Sequence, residues 1–270
     1  MIPINLEKQK NIRDLGDTET SEGRRIKRNK LIRSGRISGL SAADAALLLG
    51  PCRLRTVVDL RSARESEKRP EPQWGIVEFF RVPLLTDDQL GFTSFAAGSS
   101  PKDFNVVDTL IGMTGGSSYT PKQYLMDMYR NFITTKQAQS ATRRFFELLL
   151  SHKEGALLYH CNGGKDRTGI ITAFLLSVLR VPWEVIAADY METNHAVKSW
   201  LEEKLKNVPE KYQSKQAQAV LRMMYLADAD CLQAAYDEMC GMCGSPEGYL
   251  RQVIGLTDFT LEEIRGRFLV

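Results

Sequence analysis

The stretch of sequence that decides the fold runs from residue 156 to residue 179 and reads ALLYHCNGGKDRTGIITAFLLSVL. Its first part, residues 156–160, is a short apolar run that predicts a buried strand. Its last part is a longer apolar run that predicts a helix beginning at Thr168. The polar loop between them, residues 161–167, contains two adjacent glycines. A strand, a short loop and a helix in direct succession are typical of α/β folds.

On both sides of this stretch, the sequence alternates between predicted strands and predicted helices. Short runs rich in Val, Ile and Phe predict buried strands at residues 55–60 and 76–84. Capping signals and apolar spacing predict helices at residues 42–49, 121–132, 136–151, 183–193, 197–206, 214–239 and in two short segments capped by Ser245 and Thr260. We therefore expect an α/β fold with a central, mostly parallel sheet flanked by helices, and with a helical extension in the second half.

Residues 86–120 interrupt this alternation. The segment is rich in Gly, Ser and Thr and has no sustained apolar period. A loop of this length in a compact domain is usually functional or mobile. No other stretch has the composition of a linker, so residues 1–270 are predicted to form a single domain.

The charge and hydropathy of the chain narrow its function class. The 270 residues include 36 Lys and Arg and 33 Asp and Glu, a formal net charge of +3. This small excess gives no argument for nucleic acid as a partner. The chain has no apolar run long enough to cross a membrane, and its first 30 residues lack the apolar core of a secretory signal. A cytoplasmic location is the default expectation, with a removed signal or another secretion route left open.

The five cysteines do not have the pattern of a disulfide framework. Cys240 and Cys243 form one CxxC pair without a second pair or a nearby His, whereas a structural zinc site requires four ligands. We interpret them as two thiols at the end of a helix, and we expect no metal and no cofactor. Cys161 differs from the other cysteines because of its neighbours.

The loop around Cys161 has the features of an anion site. It precedes a predicted helix N-terminus, where unpaired N–H groups and the positive end of the helix dipole attract anions. Gly163 and Gly164 allow the backbone to curl so that successive N–H groups point inward at an oxyanion. Arg167 can reach back across this cradle and bind two phosphate oxygens. Cys161 is expected at the floor, where the positive surroundings favour a nucleophilic thiolate.

This arrangement predicts phosphoryl transfer to sulfur, with Arg167 and the backbone amides stabilising the charge on the phosphate oxygens. Thr168 is expected to donate its hydroxyl to the sulfur of Cys161. His160 is expected to orient the loop through hydrogen bonds to the backbone. The alternative interpretation is an ordinary glycine-rich turn with a buried cysteine.

The run His160-Cys-Asn-Gly-Gly-Lys-Asp-Arg-Thr-Gly169 resembles the active-site loop of the cysteine-dependent protein-tyrosine phosphatases. More narrowly, it is similar to the loop of the atypical bacterial tyrosine phosphatases that also act on phosphoinositides. Four further blocks of sequence resemble that group: Asn11–Gly16, Leu31–Gly35, Val58–Ser62 and Gly244–Leu250. Asp17 departs from the pattern, since a second glycine often follows Gly16, and this departure affects only a turn.

The resemblance implies a cysteine-dependent phosphatase that acts on phosphotyrosine, with phosphoinositides or phosphoserine and phosphothreonine as further candidate substrates. The residues implied to bind phosphate are Asn162, Gly163, Gly164, Lys165, Asp166 and Arg167. The charge of Lys165 favours a substrate with several phosphates, although the side chain is equally compatible with solvent exposure. The resembling enzymes carry a helical lid, which makes residues 86–120 and 195–240 candidate lid segments, although the apolar residues at 221–232 favour a core helix.

A phosphatase of this kind needs a group that protonates the leaving oxygen and then deprotonates the attacking water. Asp166 is the first candidate, partly because the resemblance implies it, and its alternative role is to shape the loop. Asp59 is the second candidate, because it ends a predicted strand whose C-terminus meets the same sheet edge as Cys161. Its alternative role is an ion pair with Arg61, Arg64 or Arg13. Asp87 and Asp88, in the loop after the next strand, come last.

A basic segment near the N-terminus is a candidate docking surface. It contains seven basic residues between Arg24 and Arg36, which we interpret as a solvated face rather than a docking surface for phospholipid or acidic protein. Membrane contact is therefore expected to be peripheral at most. The oligomeric state is left open.

The rival functions are a pseudophosphatase that binds a phosphorylated ligand without hydrolysing it, and a sulfur- or arsenate-transfer enzyme. The intact Cys161, Arg167 and Asp166 count against the first, and the Gly-Lys-Asp-Arg-Thr run counts against the second.

Overall fold

The computed structural model of the protein describes residues 1–87, 105–114 and 119–270. Within these residues, the strands are β1 (Ile2–Pro3), β2 (Ile12–Asp14), β3 (Leu31–Ser34), β4 (Leu54–Asp59), β5 (Glu78–Arg81) and β6 (Ala156–His160). The helices that precede or follow these strands are α1 (Ala42–Leu49), α2 (Ala63–Lys68), α3 (Asn105–Met113), α4 (Pro121–Thr134), α5 (Lys136–Ser151) and α6 (Asp166–Val178). The second half continues with α7 (Trp183–Lys206), α8 (Lys215–Tyr225), α9 (Ala229–Cys243), α10 (Pro246–Tyr249) and α11 (Asp258–Phe268).

The strands form one sheet with the order β1-β2-β3-β6-β4-β5. β3, β6, β4 and β5 run parallel to one another, whereas β1 and β2 add an antiparallel edge next to β3. Parallel neighbours need long crossover connections, and helices supply them here. The predicted α/β fold with a mostly parallel sheet flanked by helices is confirmed.

Parallel pairing brings the C-terminal ends of three strands to one edge of the sheet. Ser34 at the end of β3 and Asp59 at the end of β4 both pair with His160 at the end of β6. Cys161 follows immediately, so the glycine-containing loop begins at the centre of this edge. Ligand sites of open parallel sheets lie outside this edge.

The side chains of β6 alternate between two apolar cores, as the two-residue period of a strand requires. Leu157 and Tyr159 belong to the larger core, which also contains the buried side chains of α4 to α6 and of the second half of the chain. Ala156 and Leu158 belong to a smaller core with Leu48 of α1. Because both faces of this strand are covered, all of its residues are buried and its sequence shows no polar alternation.

Two predicted helix boundaries around the site are wrong. Helix α6 begins at Asp166 rather than at Thr168, because the Gly169 N–H already donates to the Lys165 carbonyl at 2.7 Å. The predicted helices 183–193 and 197–206 are one continuous helix, α7. The polar residues between them do not start a new helix, since the Asn194 side chain pairs with the backbone N–H and carbonyl of Ala227 instead.

Two boundaries further along the chain also differ from the prediction. The predicted helix 214–239 is divided into α8 and α9, because Asp228 caps the second of them by accepting a hydrogen bond from the Asp230 N–H. The last helix is capped by Thr257 rather than by Thr260, which lies in its first turn. Among the described residues, no helix combines the length and the apolar character needed to cross a membrane.

The two candidate lid segments differ in how much of them can be described. Most of residues 86–120 lies outside the described residues. Residues 195–240 form the end of α7, all of α8 and most of α9. Their apolar side chains at Leu221, Met224 and Leu232 are buried in the larger core, which agrees with the core-helix interpretation.

Candidate active site

Residues 160–168, called the catalytic loop after their predicted role, join the end of β6 to the first turn of α6. Gly164 has φ +69°, and a Cβ at this position would lie 2.5 Å from the backbone nitrogen of Gly35. The loop packs this closely against the end of β3 because the position carries no side chain. The first backbone N–H groups of an α-helix have no partner within the helix, so the start of α6 favours the binding of an anion.

Cys161 lies at the base of the loop and is 2% exposed. The Thr168 hydroxyl donates a hydrogen bond to the Cys161 sulfur over 3.2 Å, as the sequence led us to expect. The adjacent His160 ring is fully buried, and its Nδ1 lies 3.1 Å from the Cys161 carbonyl oxygen. On its other side, His160 Nε2 lies 3.3 Å from Glu71 Oε1. His160 thus contacts the backbone of the loop rather than the thiol.

Arg167 is fully buried and is held by Glu65 of α2. Its two terminal nitrogens donate to the two Glu65 oxygens over 2.5 and 2.9 Å, a bidentate pair. Burial alone lowers the pKa of Arg167, but the Glu65 carboxylate outweighs this effect and raises it. The same carboxylate also accepts hydrogen bonds from the Asn162 side chain and from the Ser62 N–H. Glu65 therefore anchors both sides of the loop.

Asp166 occupies the first turn of α6 and is 7% exposed. The Tyr129 phenol of α4 donates to Asp166 Oδ1 over 2.7 Å, and it lies 2.6 Å from the Tyr190 hydroxyl of α7. Burial and then the charge of Asp166 raise the pKa of Tyr129 well above its ordinary value. The phenol therefore remains a donor to the carboxylate throughout the neutral range.

Lys165 points across the loop toward α8. Its ammonium donates to the Met224 carbonyl over 2.6 Å and to the Leu226 carbonyl over 3.1 Å, and it lies 3.4 Å from Asp166 Oδ1. These carbonyls lie at the C-terminal end of α8, where a cation is favoured. The Lys165 side chain is 5% exposed, so it is not the solvent-directed lysine that the sequence left open. Its contact with substrate phosphate stays a prediction.

Asp59 forms an ion pair with Arg61, which was its alternative role. Two Arg61 nitrogens donate to the two Asp59 oxygens over 2.9 Å each, and the Ser66 hydroxyl donates to Asp59 Oδ2 over 2.7 Å. Burial alone raises the pKa of Asp59, but the positive charges of His160 and Arg61 outweigh it and lower the pKa to about 2. This carboxyl is therefore ionised at neutral pH.

Asp59, Glu71 and His160 also form a cluster with the donor atoms of a metal site within 4.8 Å of one another. Arg61 lies between the two carboxylates and pairs with both of them. A guanidinium already provides the positive charge that these acidic groups require.

Cys240 and Cys243 lie far along the chain, at the end of α9, as two half-buried free thiols.

A buried cluster of charged residues, which the sequence did not predict, contacts the backbone of the loop. Asp189 of α7 pairs with both Arg13 and Arg33, and all three side chains are almost completely buried. Arg33 also donates to the Gly164 carbonyl over 2.8 Å, and Asn11 donates to the Gly163 carbonyl over 2.8 Å.

The residues that sequence reasoning missed are Glu65, Tyr129 and Tyr190. Glu65 carried one visible signal, because Ser62-x-x-Glu65 has the spacing of a capping box, which the structure forms. Of the last acid candidates, Asp87 is exposed and accepts a hydrogen bond from the Arg64 N–H at 3.3 Å, and Asp88 lies outside the described residues.

Comparison with known proteins gives matches that cover most of the chain or nearly all of it. The model of the tyrosine phosphatase family matches residues 4–270. The triple specificity protein phosphatase PtpB of Mycobacterium tuberculosis is 31% identical over 96% of this chain and 96% of its own length. A protein of Cupriavidus necator with a provisional tyrosine-protein phosphatase name is 29% identical over 96% of this chain and 85% of its own. A tyrosine-protein phosphatase of Nostoc commune is 27% identical over 63% of this chain and 50% of its own.

Proposed function

The chain belongs to the tyrosine phosphatase family, and on this premise we propose that it hydrolyses phosphotyrosine through a phosphocysteine intermediate on Cys161. Family membership makes it a protein phosphatase, and the proposal adds the residues and the covalent step. The observation that carries the proposal is the hydrogen bond from the Thr168 hydroxyl to the Cys161 sulfur, at 3.2 Å in a buried position. Such a donor stabilises the negative charge of a thiolate nucleophile.

In the first step, the Cys161 thiolate attacks phosphorus opposite the tyrosyl oxygen. A P–S bond forms while the P–O bond to tyrosine breaks, and Asp166 gives its proton to the leaving oxygen. Arg167 and the N–H groups of the loop bind the three other phosphate oxygens. Glu65 accepts two of the five N–H donors of Arg167, and it thereby orients the guanidinium before the substrate arrives.

In the second step, the ionised Asp166 accepts a proton from a water molecule that attacks phosphorus. The P–S bond breaks, inorganic phosphate leaves and Cys161 returns to the thiolate. Asp166 is the proposed acid and base rather than Asp59, because Asp166 belongs to the loop itself, whereas both oxygens of Asp59 are occupied by donors from Arg61 and Ser66. The Tyr129 phenol holds Asp166 in place through both steps.

Phosphoserine, phosphothreonine and phosphoinositides are proposed as further substrates. The relative from M. tuberculosis is named a triple specificity protein phosphatase, which supports a substrate range beyond phosphotyrosine. Lys165 adds a second cation 3.4 Å from the Asp166 carboxylate, close to where the proposed chemistry takes place. A cation at this position favours substrates with a high negative charge.

The test of the proposed function is phosphate release by the wild type and by Cys161→Ser, each with and without a chelator. The substrates are a phosphotyrosine peptide, a phosphothreonine peptide and phosphatidylinositol phosphates. Cys240→Ser is the matched control, because it removes a half-buried thiol on α9. We expect Cys161→Ser alone to abolish release, and acid quench of the wild type to trap one phosphoryl group on Cys161.

Two results would contradict the proposal. Release that persists in Cys161→Ser would exclude the covalent route. Absence of release from every substrate by the wild type, together with tight binding of the phosphotyrosine peptide, would identify a phosphate-binding pseudophosphatase instead.

A further inference from the structure

A cavity of about 530 Å³ lies directly beside the catalytic loop. Asn162, Gly163 and Lys165 of the loop belong to its lining. Trp200 and Lys204 of α7 line it as well. A group bound in this cavity therefore lies next to a phosphate bound by the loop.

The lining of the cavity is strongly positive. Among the described residues that line it, five side chains are cationic and Glu203 alone is acidic. The cationic side chains come from the N-terminal segment, from the turn after β3, from the catalytic loop and from α7, and they are Lys8, Lys10, Arg36, Lys165 and Lys204. Cations gathered from four parts of the chain in one concave site attract an anion.

The two half-buried cations of the lining, Arg36 and Lys204, are both repelled by neighbouring positive charge. Burial, followed by repulsion from Arg69 and Arg61, lowers the pKa of Arg36 to about 10. Burial and then repulsion from Arg36 lower the pKa of Lys204. An anion bound in the cavity offsets the repulsion on both side chains, so the site gains more from a bound anion than isolated surface cations would.

Lys204 is also held in a fixed position. Its ammonium lies 5.1 Å from the ring centres of both Trp200 and Tyr225. The two rings meet edge to face, 5.2 Å apart. A cation held against two aromatic rings loses little side-chain freedom when an anion binds.

We propose that this cavity binds a second phosphate of a substrate that carries two phosphates on one compact ring, the class of polyphosphorylated cyclitols, while the catalytic loop binds the phosphate that is cleaved. The proposal rests on the proposed function, and it names Arg36 and Lys204 as the residues that select such substrates. Hydroxyl groups of the ring meet the polar side chains of Gln9, Ser38 and Asn207 in the same lining.

The closeness of the two anion sites favours a ring over a doubly phosphorylated peptide. Residues of the loop line the cavity, so a phosphate bound in the cavity would lie beside one bound by the loop. Successive side chains of an extended peptide point to opposite faces, which carries the phosphates of neighbouring residues apart. A rigid ring holds two phosphates at a short and constant separation and loses no internal freedom on binding.

The experiment compares kcat/KM for a soluble inositol bisphosphate, the matching inositol monophosphate and a phosphotyrosine peptide. The variant is Arg36→Gln with Lys204→Gln. The control is Lys198→Gln with Lys206→Gln, which removes the same charge from two positions of α7 outside the cavity. We expect the variant to lose about tenfold on the bisphosphate and less than twofold on the other two substrates, because two charge-assisted contacts are removed. The control is expected to keep the wild-type ratio.

Phospholipid vesicles and a doubly phosphorylated peptide distinguish the other possible sources of a second phosphate, a membrane and a protein. Vesicles of phosphatidylcholine that contain the matching phosphatidylinositol phosphates are expected to show the same tenfold dependence as the soluble ring. A dependence seen only with vesicles would overturn the proposal in favour of membrane contact. A tenfold dependence seen with a doubly phosphorylated peptide and absent with the inositol bisphosphate would overturn the assignment to a ring. Equal losses of kcat/KM on the bisphosphate and the monophosphate would contradict the second anion site itself.

A binding measurement keeps this inference separate from the proposed function. Calorimetry on Cys161→Ser compares the soluble bisphosphate with the monophosphate, and no turnover is needed. Tighter binding of the bisphosphate that is lost with Arg36→Gln and Lys204→Gln supports the second anion site even if the wild type releases no phosphate. Equal affinity for the two ligands in an otherwise active enzyme contradicts the second site and leaves the proposed function intact.

Discussion

The Tyr129 phenol donates a hydrogen bond to the Asp166 carboxylate over 2.7 Å, and this contact links the helical layer to the catalytic loop. Tyr129 belongs to α4, Asp166 to the first turn of α6, and Tyr190, which completes the chain of hydroxyls, to α7. All three groups lie on helices packed in the larger core. The position of the proposed acid is therefore set by helix packing rather than by a separate loop.

Tyr129→Phe is expected to lower kcat about tenfold, since one hydrogen bond to a charged group is removed. Without this donor the Asp166 side chain is no longer held against α4, so it is less well placed to give its proton to the leaving oxygen. The loss should therefore be larger for aryl phosphates whose leaving group needs a proton. The measurement is kcat across a series of aryl phosphates with different leaving groups.

The control for this prediction is Tyr119→Phe. Tyr119 makes a comparable hydrogen bond to Asp127, but at an exposed position. Its rates across the same series should match those of the wild type. Unchanged rates in Tyr129→Phe would show that the phenol does not position the proton-transfer group.

Replacement of the two candidate acids separates their roles. Asp166→Asn is expected to lower kcat about a hundredfold for phosphotyrosine, whose leaving group needs a proton, and much less for a nitrophenyl phosphate. Asp59→Asn should lower both rates by the same factor, because Asp59 acts on the loop through His160 and Arg61. The measurement is kcat across a series of aryl phosphates with different leaving groups. A steeper dependence on the leaving group in Asp59→Asn alone would reverse the assignment.

Glu65→Gln tests the anchoring of Arg167. One of the two carboxylate acceptors becomes a donor that faces N–H groups of Arg167 or Ser62, so the guanidinium loses its fixed orientation. We expect kcat/KM to fall about a hundredfold. Inhibition by inorganic phosphate should weaken in parallel, because the same guanidinium binds it. Glu67→Gln, an exposed neighbour on α2, is the control and should behave as the wild type. Thermal unfolding of both variants distinguishes lost anchoring from lost fold.

The catalytic loop could be predicted from the sequence because its parts are neighbours in the chain. The strand, the two glycines, Cys161 and Arg167 lie within 12 residues, from 156 to 167, and local physics relates them. Glu65 and Tyr129 could not be predicted in this way. Glu65 is 102 residues from Arg167 and Tyr129 is 37 residues from Asp166, and only the packing of α2 and α4 brings them together.

The fold class followed from the alternation of strands and helices, whereas helix boundaries depended on single polar side chains. Asn is a residue type that often marks a helix end. The Asn194 side chain instead pairs with the backbone of Ala227, and α7 continues through this position. Asp228 interrupts an otherwise apolar run because its side chain caps α9. Whether such a residue caps a helix or bridges to another element depends on tertiary contacts, which local sequence does not contain.

Asp59 is expected to make the stability of the protein depend on pH in the acidic range. Its pKa is lowered to about 2 from the ordinary 3.8, so the ionised form is favoured in the folded state. This contribution to the free energy of unfolding is fully present above the ordinary pKa and is lost as the pH falls toward 2. Between pH 5 and pH 3 the loss is about 1 kcal/mol. Urea unfolding at several pH values should show this loss in the wild type and a smaller one in Asp59→Asn.

Lys165→Met tests the contact between the catalytic loop and α8. The variant keeps the aliphatic chain but removes the donors to the Met224 and Leu226 carbonyls. Because charge-assisted hydrogen bonds contribute about 1.5–3 kcal/mol each, amide exchange at the C-terminal end of α8 should become at least about tenfold faster. Lys215→Met, which removes an exposed lysine at the other end of α8, should leave this exchange unchanged. Hydrogen exchange measured by mass spectrometry resolves the two ends. Equal protection of the α8 C-terminus in Lys165→Met and the wild type would show that Lys165 does not hold the helix against the loop.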